Sequence, residues 1–266
     1  MSASSASKEQ TARELFDLMV DNYQARVQAI VHNTSSLVFK RREHETVALI
    51  DRCNGAHTVL DFGMGPAVYL DACLSRGMSY HGIDYSAEMV DLARRSGRSN
   101  CSFDLGDASS LDAHASKFDL VLCIGVIDYL EDPYGDMRQL AACVRPGGHL
   151  ILAFRNKHAV PRYLREAAKR AAGRLTFIKR LKPNSAFSSG CHENAFSWNH
   201  DMKPFLRSHG FEPLEIRYYG CSPIFFTLPL PKPIWTACYH VDAHVSSEWS
   251  RGICSGAVFL ARRCLP

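Results

Sequence analysis

The sequence predicts an α/β fold: a doubly wound, mostly parallel seven-stranded sheet with N-terminal helices and a cap insertion. Three observations carry this. From residue 57 onward, short apolar strand-like runs alternate with helix-like segments, a pattern that requires parallel strands joined by helical crossovers. Three successive runs end in an aspartate, Asp61, Asp84 and Asp107, each 23 residues after the last. A loop with two glycines, Gly63 and Gly65, follows the first of them.

The elements follow in order. Residues 1–8 are small and polar and are expected to be disordered, and 9–55 form an N-terminal helical lid. In that lid Leu15, Leu18, Met19, Val27, Ile30 and Val31 recur at helical spacing, "HNTSS" (32–36) interrupts, and a second helix runs from about Leu37 to Arg52. The core spans 56–155. Its strands are 57–62, 79–84, 101–107, 118–126 and 148–155, and its helices are 67–76, 86–96 (capped by Ser86) and 133–144 (with Pro133 at its start). Residues 156–197 are a basic helical insertion: from Lys157 to Lys182 nine Lys/Arg face one acid, Glu166. That segment carries +8, so the rest of a chain of net charge +4 carries −4. Leu164, Ala168, Ala171, Leu175 and Ile178 share one face of it. Residues 198–266 complete the sheet, with a short helix from Asp201 to His209, strands at 212–220 and 256–263, and an apolar loop at 221–240. Pro223, Pro229, Pro231 and Pro233 rule out one continuous helix across that loop.

Composition narrows the class. With 266 residues, 46% apolar and 22% charged, the chain is long enough to bury a full core. No apolar run spans a bilayer and the N-terminus lacks the apolar core of a signal peptide, so a cytoplasmic protein is expected. Ten cysteines are scattered singly, with no C-x-x-C pair and no zinc spacing. The expectation is no metal site and free buried thiols in a reducing compartment, with a thiol role in chemistry as the alternative.

In a doubly wound sheet, ligands bind at the carboxyl ends of strands where the strand order reverses. Small residues in the first loop let backbone approach a ligand closely. A carboxylate at Asp84 can accept both hydroxyls of a ribose, and one at Asp107 an adenine amino group. Taken in order, "VLDFGMG", "GIDYS", "LGDA", "FDLVLCIGVIDYLEDP" and "VRPGGHLILAF" resemble the motifs of class I S-adenosylmethionine-dependent methyltransferases of the small-molecule type, over about residues 57–155. The resemblance implies that S-adenosyl-L-methionine is the cofactor. It implies that Asp61, Gly63 and Gly65 hold the methionine end, that Asp84 binds the ribose with Tyr85 beside the adenine, and that Asp107 and Ala108 hold the adenine edge. Ile124 and Gly125 would face the methionine moiety. "FDLMVDNYQAR" (16–26) resembles the closing N-terminal helix of the family, with Tyr23 as lid residue. The departure is Pro66-Ala67, where many relatives have Thr-Gly; Pro is tolerated in the first turn of a helix because its missing N–H has no helical partner.

Methyl transfer is an in-line displacement that depends chiefly on alignment, so a base is optional. Tyr129 and Asp128 follow the fourth strand, and His192 lies in "GCHENAFSW". His192 is either a base, with an ordinary pKa near neutrality, or an exposed loop residue; Asp128 reads as a cap. The acceptor is expected to be a small molecule, anionic or partly apolar, with O-methylation of a secondary metabolite, lipid or sugar-linked compound as the first reading. Alternatives are N- or C-methylation, a nicotinamide-dependent oxidoreductase, or a non-catalytic module that binds the cofactor. The basic insertion reads as a solvated helix, as an attractor of an anionic substrate, or as membrane-surface contact through 157–182. Nucleic acid is disfavoured, since the sequence shows no aromatic-interleaved basic platform and no recognised RNA-binding appendage. Oligomeric state is not readable from the sequence.

Overall fold

The computed structural model describes residues 34–160, 194–221, 231–245 and 251–265. Tyr23 and the rest of the expected lid up to residue 33, His192, residues 161–193 of the basic insertion, and 222–230 of the apolar loop lie outside them.

Helix α1 (Thr34–Ile50) precedes β1 (Thr58–Phe62), α2 (Leu70–Leu74), β2 (Ser79–Asp84), α3 (Ala87–Arg94) and β3 (Cys101–Leu105). A 3₁₀ turn (Ala108–His114) leads into β4 (Phe118–Ile124), α4 (Pro133–Cys143) and β5 (Val144–Arg155). A π-turn (Trp198–Met202) runs into α5 (Lys203–Ser208), followed by β6 (Phe211–Tyr219), α6 (Lys232–Val245) and β7 (Gly256–Arg263). The seven strands are ordered β3-β2-β1-β4-β5-β7-β6. Strands β1 to β5 pair in parallel, and β7 is antiparallel to both β5 and β6. Crossovers leave β1 toward β2 on one side and β4 stands on its other side, so the order reverses there and opens a crevice at the carboxyl ends.

Strand periodicity builds two apolar layers. Leu60, Phe62, Val121 and Cys123 face Met137 and Leu140 of α4 and Leu206 of α5. Val59, Leu120, Leu122 and Ile124 face Leu49 of α1, Leu70 of α2 and Val90 of α3. Every residue of β4 is buried, as a central parallel strand covered on both faces requires. Each Leu, Ile or Phe moved from water into these layers contributes roughly 1.5–3 kcal/mol. Local signals agree with the packing. The Ser86 hydroxyl accepts from the Met89 N–H, and Asp132 caps α4 by accepting from the Gly135 N–H at 2.9 Å, with Pro133 in the first turn.

Three departures from the sequence reading have physical causes. The helix expected over 67–76 is only Leu70–Leu74, because Ala67 has φ +56°, a left-handed conformation that no helix interior accepts. Pro66 therefore sits in a turn and not in a helix start. The loop expected over 221–240 contains α6, for Pro231 precedes it and Pro233 lies in its first turn, where prolines do no harm. Trp235, Cys238 and Asp242, at steps of three and four, turn inward, and Leu37 of α1 meets the first two. Finally, Cys221 and Cys254 are joined by a disulfide, so not all the thiols are free. A separation of 33 residues with no pairing motif gave no sequence signal for it.

Candidate functional site

Three strand tips are tied to one another by their own backbone and one carboxylate. Gly63 N–H donates to the Ile83 carbonyl at 2.8 Å, and Gly106 N–H to the Asp84 carbonyl at 2.9 Å. The Asp84 carboxylate accepts from Gly65 N–H at 2.8 Å through one oxygen and from Ser86 N–H at 2.9 Å through the other. Asp84 is 5% exposed, so its charge is held by these donors at the floor of the crevice. Gly63, Gly65 and Gly125 have φ of +69°, +55° and +77°. At Gly63 a Cβ would also overlap the Val126 side chain. Gly63→Ala is therefore expected to cost about 2 kcal/mol of stability or more, as read by denaturant unfolding; a midpoint equal to wild type would contradict this packing.

Above these tips lies a cavity of about 270 Å³. Gly63, Gly65, Asp84, Tyr85, Asp107, Ala108, Ile124, Gly125 and Tyr129 all line it. The structure thus gathers nine sequence-predicted residues from four strand ends. Phe62, Met89, Val126 and Leu130 add an apolar wall, and Asp136 reaches in from the first turn of α4. Asp107 also caps the 3₁₀ turn, its Oδ1 accepting from the Ser109 N–H at 2.9 Å and hydroxyl at 2.6 Å. Asp128 lies apart from the lining and accepts from the Arg155 N–H at 2.9 Å, joining the ends of β4 and β5 as a structural residue.

Asp61 does not line the cavity. It is 1% exposed beneath the glycine loop and accepts from the Tyr80 hydroxyl at 2.5 Å. Burial pushes its carboxyl up to about 7; the Tyr80 bond opposes this and the Asp84 charge adds to it. The same burial drives the Tyr80 hydroxyl upward. Folded protein therefore keeps a proton on Asp61 that the unfolded chain releases above its ordinary 3.8. The associated stability is present at low pH and is lost as pH climbs toward about 7. Asp61→Asn is expected to flatten that decline by up to about 1.4 kcal/mol per pH unit, measured as unfolding free energy against pH. Parallel profiles for variant and wild type would exclude it.

Arg42 was not legible in the sequence, where it is one cation in the charged run "KRREHE". In the fold its guanidinium fills the space that a Cβ on Gly125 would take, and it lies 4.8 Å from the centre of the Phe39 ring. Helix α1 is fixed by a buried network. Arg41 pairs with Glu45 and, at 3.2 Å, with Asp242 of α6, while Arg217 of β6 reaches Glu45 at 3.2 Å. The site therefore offers carboxylates at the β2 and β3 tips and an apolar wall, with Arg42 packed against Gly125 but outside the cavity lining. Such an arrangement accepts an elongated ligand with hydroxyl and amino groups at one end. Among the described residues no group of His, Cys, Asp and Glu could hold a metal ion. No helix among them is long and apolar enough to cross a membrane.

Comparison with known proteins agrees with this geometry. Residues 60–152 match a family described as a methyltransferase domain. The ubiquinone biosynthesis O-methyltransferase of Coxiella burnetii is 28% identical over 107 residues, 39% of this chain and 45% of that protein. The protein of the same name from Pectobacterium atrosepticum is 26% identical over 153 residues, 56% of each chain. The chain spans about half the length of the curated relatives it matches. Among solved structures, magnesium protoporphyrin IX methyltransferase from Synechocystis PCC 6803 with bound SAH superposes with a TM-score of 0.63 at 16% identity, covering 97% of this chain and 100% of that one. The [4+2]-cyclase SpnF superposes at 0.64, also at 16% identity, with both chains fully covered. At such identity these likenesses speak for the fold alone, and the cyclase shows that the fold carries more than one chemistry.

Proposed function

We propose that this chain, whose residues 60–152 match a methyltransferase domain on a doubly wound α/β fold, is an S-adenosylmethionine-dependent methyltransferase acting on a small molecule. The observation that carries the reading is the shared cavity, which brings the glycine loop, Asp84, Asp107 and Gly125 together over the strand-order reversal. S-adenosylmethionine supplies an activated methyl on a sulfonium, which an acceptor takes by in-line displacement. The protein's part is binding and alignment. Asp84 accepts from the ribose hydroxyls with a carboxylate already oriented by Gly65 and Ser86. Tyr85 and Met89 flank the adenine, whose edge meets Asp107 and Ala108. Gly63, Gly65 and Gly125 let backbone approach the methionine moiety. Asp61 supports the loop from below through Tyr80.

Tyr129, on the cavity wall after β4, is the acceptor-facing candidate, with Tyr23 and His192 as lid and base from the segments on either side of the core. O-methylation is favoured over N- or C-methylation because the curated relatives that match are named as O-methyltransferases. An anionic or partly apolar acceptor remains part of this reading, supported by the basic run at 157–182 and the apolar cavity wall; a cytoplasmic setting is kept from the sequence reading alone. The nicotinamide alternative is disfavoured by β7, antiparallel within the sheet where the dinucleotide-binding fold continues in parallel. Calorimetry with S-adenosylhomocysteine and with NADH tests the proposal. Binding of S-adenosylhomocysteine alone is expected, and NADH binding without it would overturn the reading.

A further inference from the structure

Resting on that assignment of the cavity, we propose that Asn194, where the chain returns from the basic insertion, is a positioning residue that fixes the backbone around Tyr129 and Leu130 and so presets one wall of the site. Asn194 lies outside the matched methyltransferase domain and is not part of the cavity lining. The wall it acts on is the loop after β4. There Ile127 is fully buried in the core, while Val126, Tyr129 and Leu130 line the cavity.

A loop has no sheet ladder to satisfy its carbonyls, and each one shielded from water needs a donor. Asn194 supplies several. Its N–H donates to the Asp128 carbonyl at 2.7 Å. Its side-chain Nδ2 donates to the Leu130 carbonyl at 2.8 Å and, at 3.5 Å, to the Ile127 carbonyl. The peptide unit before Tyr129 is thereby held at both ends, since the Tyr129 N–H donates to the Val126 carbonyl at 2.9 Å. The unit after Leu130 is held through its carbonyl. Residue type matters here. A primary amide carries two N–H donors on one short arm, whereas an ionised Asp has none and a Ser only one. Asn194 is itself anchored through Phe196, which is buried. The Phe196 N–H donates to the Arg155 carbonyl at 2.9 Å, and its carbonyl accepts from the Lys157 N–H at 2.9 Å. The Arg155 N–H in turn donates to Asp128 Oδ1 at 2.9 Å. Residues 194–196, the end of β5 and the loop after β4 are therefore each bonded to the other two. A loose wall would have to be ordered when a ligand binds, and an in-line transfer tolerates little misplacement. Asn194 removes that freedom beforehand.

The test puts meta-fluorotyrosine in place of Tyr129 in the full chain and reads its fluorine resonance without ligand, with S-adenosylhomocysteine affinity measured by calorimetry on the unlabelled proteins. The wild-type background is expected to give one sharp signal. Asn194→Ala and Asn194→Asp should both shift, split or broaden it, because the aspartate keeps the shape of the side chain and loses the donor. Both should weaken S-adenosylhomocysteine about three- to tenfold, as loss of one neutral hydrogen bond implies. Asn194→Ser, with one donor on a shorter arm, should fall between these and wild type, and it carries the test if the alanine variant does not fold. Asp119→Asn is the control for general loosening. Asp119 accepts from the His57 and Thr58 N–H groups at 2.7 and 2.9 Å, at the opposite end of β1 from the cavity, and its replacement should leave the signal in place. The proposal is overturned if the Asn194 variants leave the signal at its wild-type position, if Asp119→Asn moves it as far, or if the signal moves while affinity stays within about twofold. Each of those outcomes leaves the cofactor site standing. A wild type that does not bind S-adenosylhomocysteine removes the site and the proposal together.

Discussion

Replacing Asp84 by Ala is expected to weaken S-adenosylhomocysteine binding about 100- to 1000-fold. Two ribose hydroxyls lose a charged acceptor, and hydrogen bonds to a charged group are each worth about 1.5–3 kcal/mol. A tenfold change is about 1.4 kcal/mol, so two such bonds at the lower end of that range, about 3 kcal/mol together, already reach the 100-fold end of the loss. The remainder comes from the protein. The carboxylate holds Gly65 N–H at 2.8 Å and Ser86 N–H at 2.9 Å, and without it both donors in the crevice lose their partner. Asp84→Asn is expected to fall between Ala and wild type. Its amide has one accepting oxygen, whereas the two backbone donors here use one carboxylate oxygen each. Calorimetry on protein with a wild-type circular dichroism spectrum measures both variants. Unchanged affinity in Asp84→Ala would place the ribose elsewhere.

Asp242→Ala is expected to destabilise the fold by about 3–5 kcal/mol, the usual cost of removing one partner from a buried ion pair. Asp242 is fully buried, and burial raises its pKa against the backbone donors and Arg41 that favour its charge. It accepts from Arg41 and from the Gly220 and Cys221 N–H groups, so the substitution strands three donors at once. Arg41 is itself 1% exposed and would keep only Glu45 as an ion-pair partner among the described residues. Asp242→Asn, isosteric and able to accept one of those bonds, should cost less than Ala. Urea unfolding decides this, and an unfolding free energy lowered by less than about 1 kcal/mol would show that the network is not supporting α1.

The two variants mark different degrees of legibility. Asp84 was readable because strand tips are local: an apolar run, an acid and a glycine loop place it within a few residues of sequence. The same holds for Ser86 and Pro133, whose capping roles depend on the next turn of chain. Asp61 was readable as a strand-tip acid but not as a buried one. Which face of β1 it occupies, and that Tyr80 lies opposite, depend on how β2 packs beside it. Ala67 was misread for a related reason. Composition favours a helix there, and only the capture of Gly65 by Asp84 shows that the chain must turn in a left-handed conformation first.

Asp242 and Arg42 had no such local signature. Helix α6 was obscured by four prolines in the stretch before and within it, two of which turn out to precede or open the helix. The disulfide joins residues 33 apart without a spacing motif, and its pairing depends on β6 and β7 lying side by side. By itself, then, the sequence determined the alternation of strands and helices, the acidic strand tips and the glycine loop, since periodicity and backbone preference act over one or two turns of chain. Only the tertiary structure decided that Asp61 lies below the loop, that Arg42 occupies the space over Gly125, and that Asp242 joins Arg41 to the backbone after β6. Those contacts join α1, β4, β6 and α6, and nothing in the covalent neighbourhood of any one of them specifies the others.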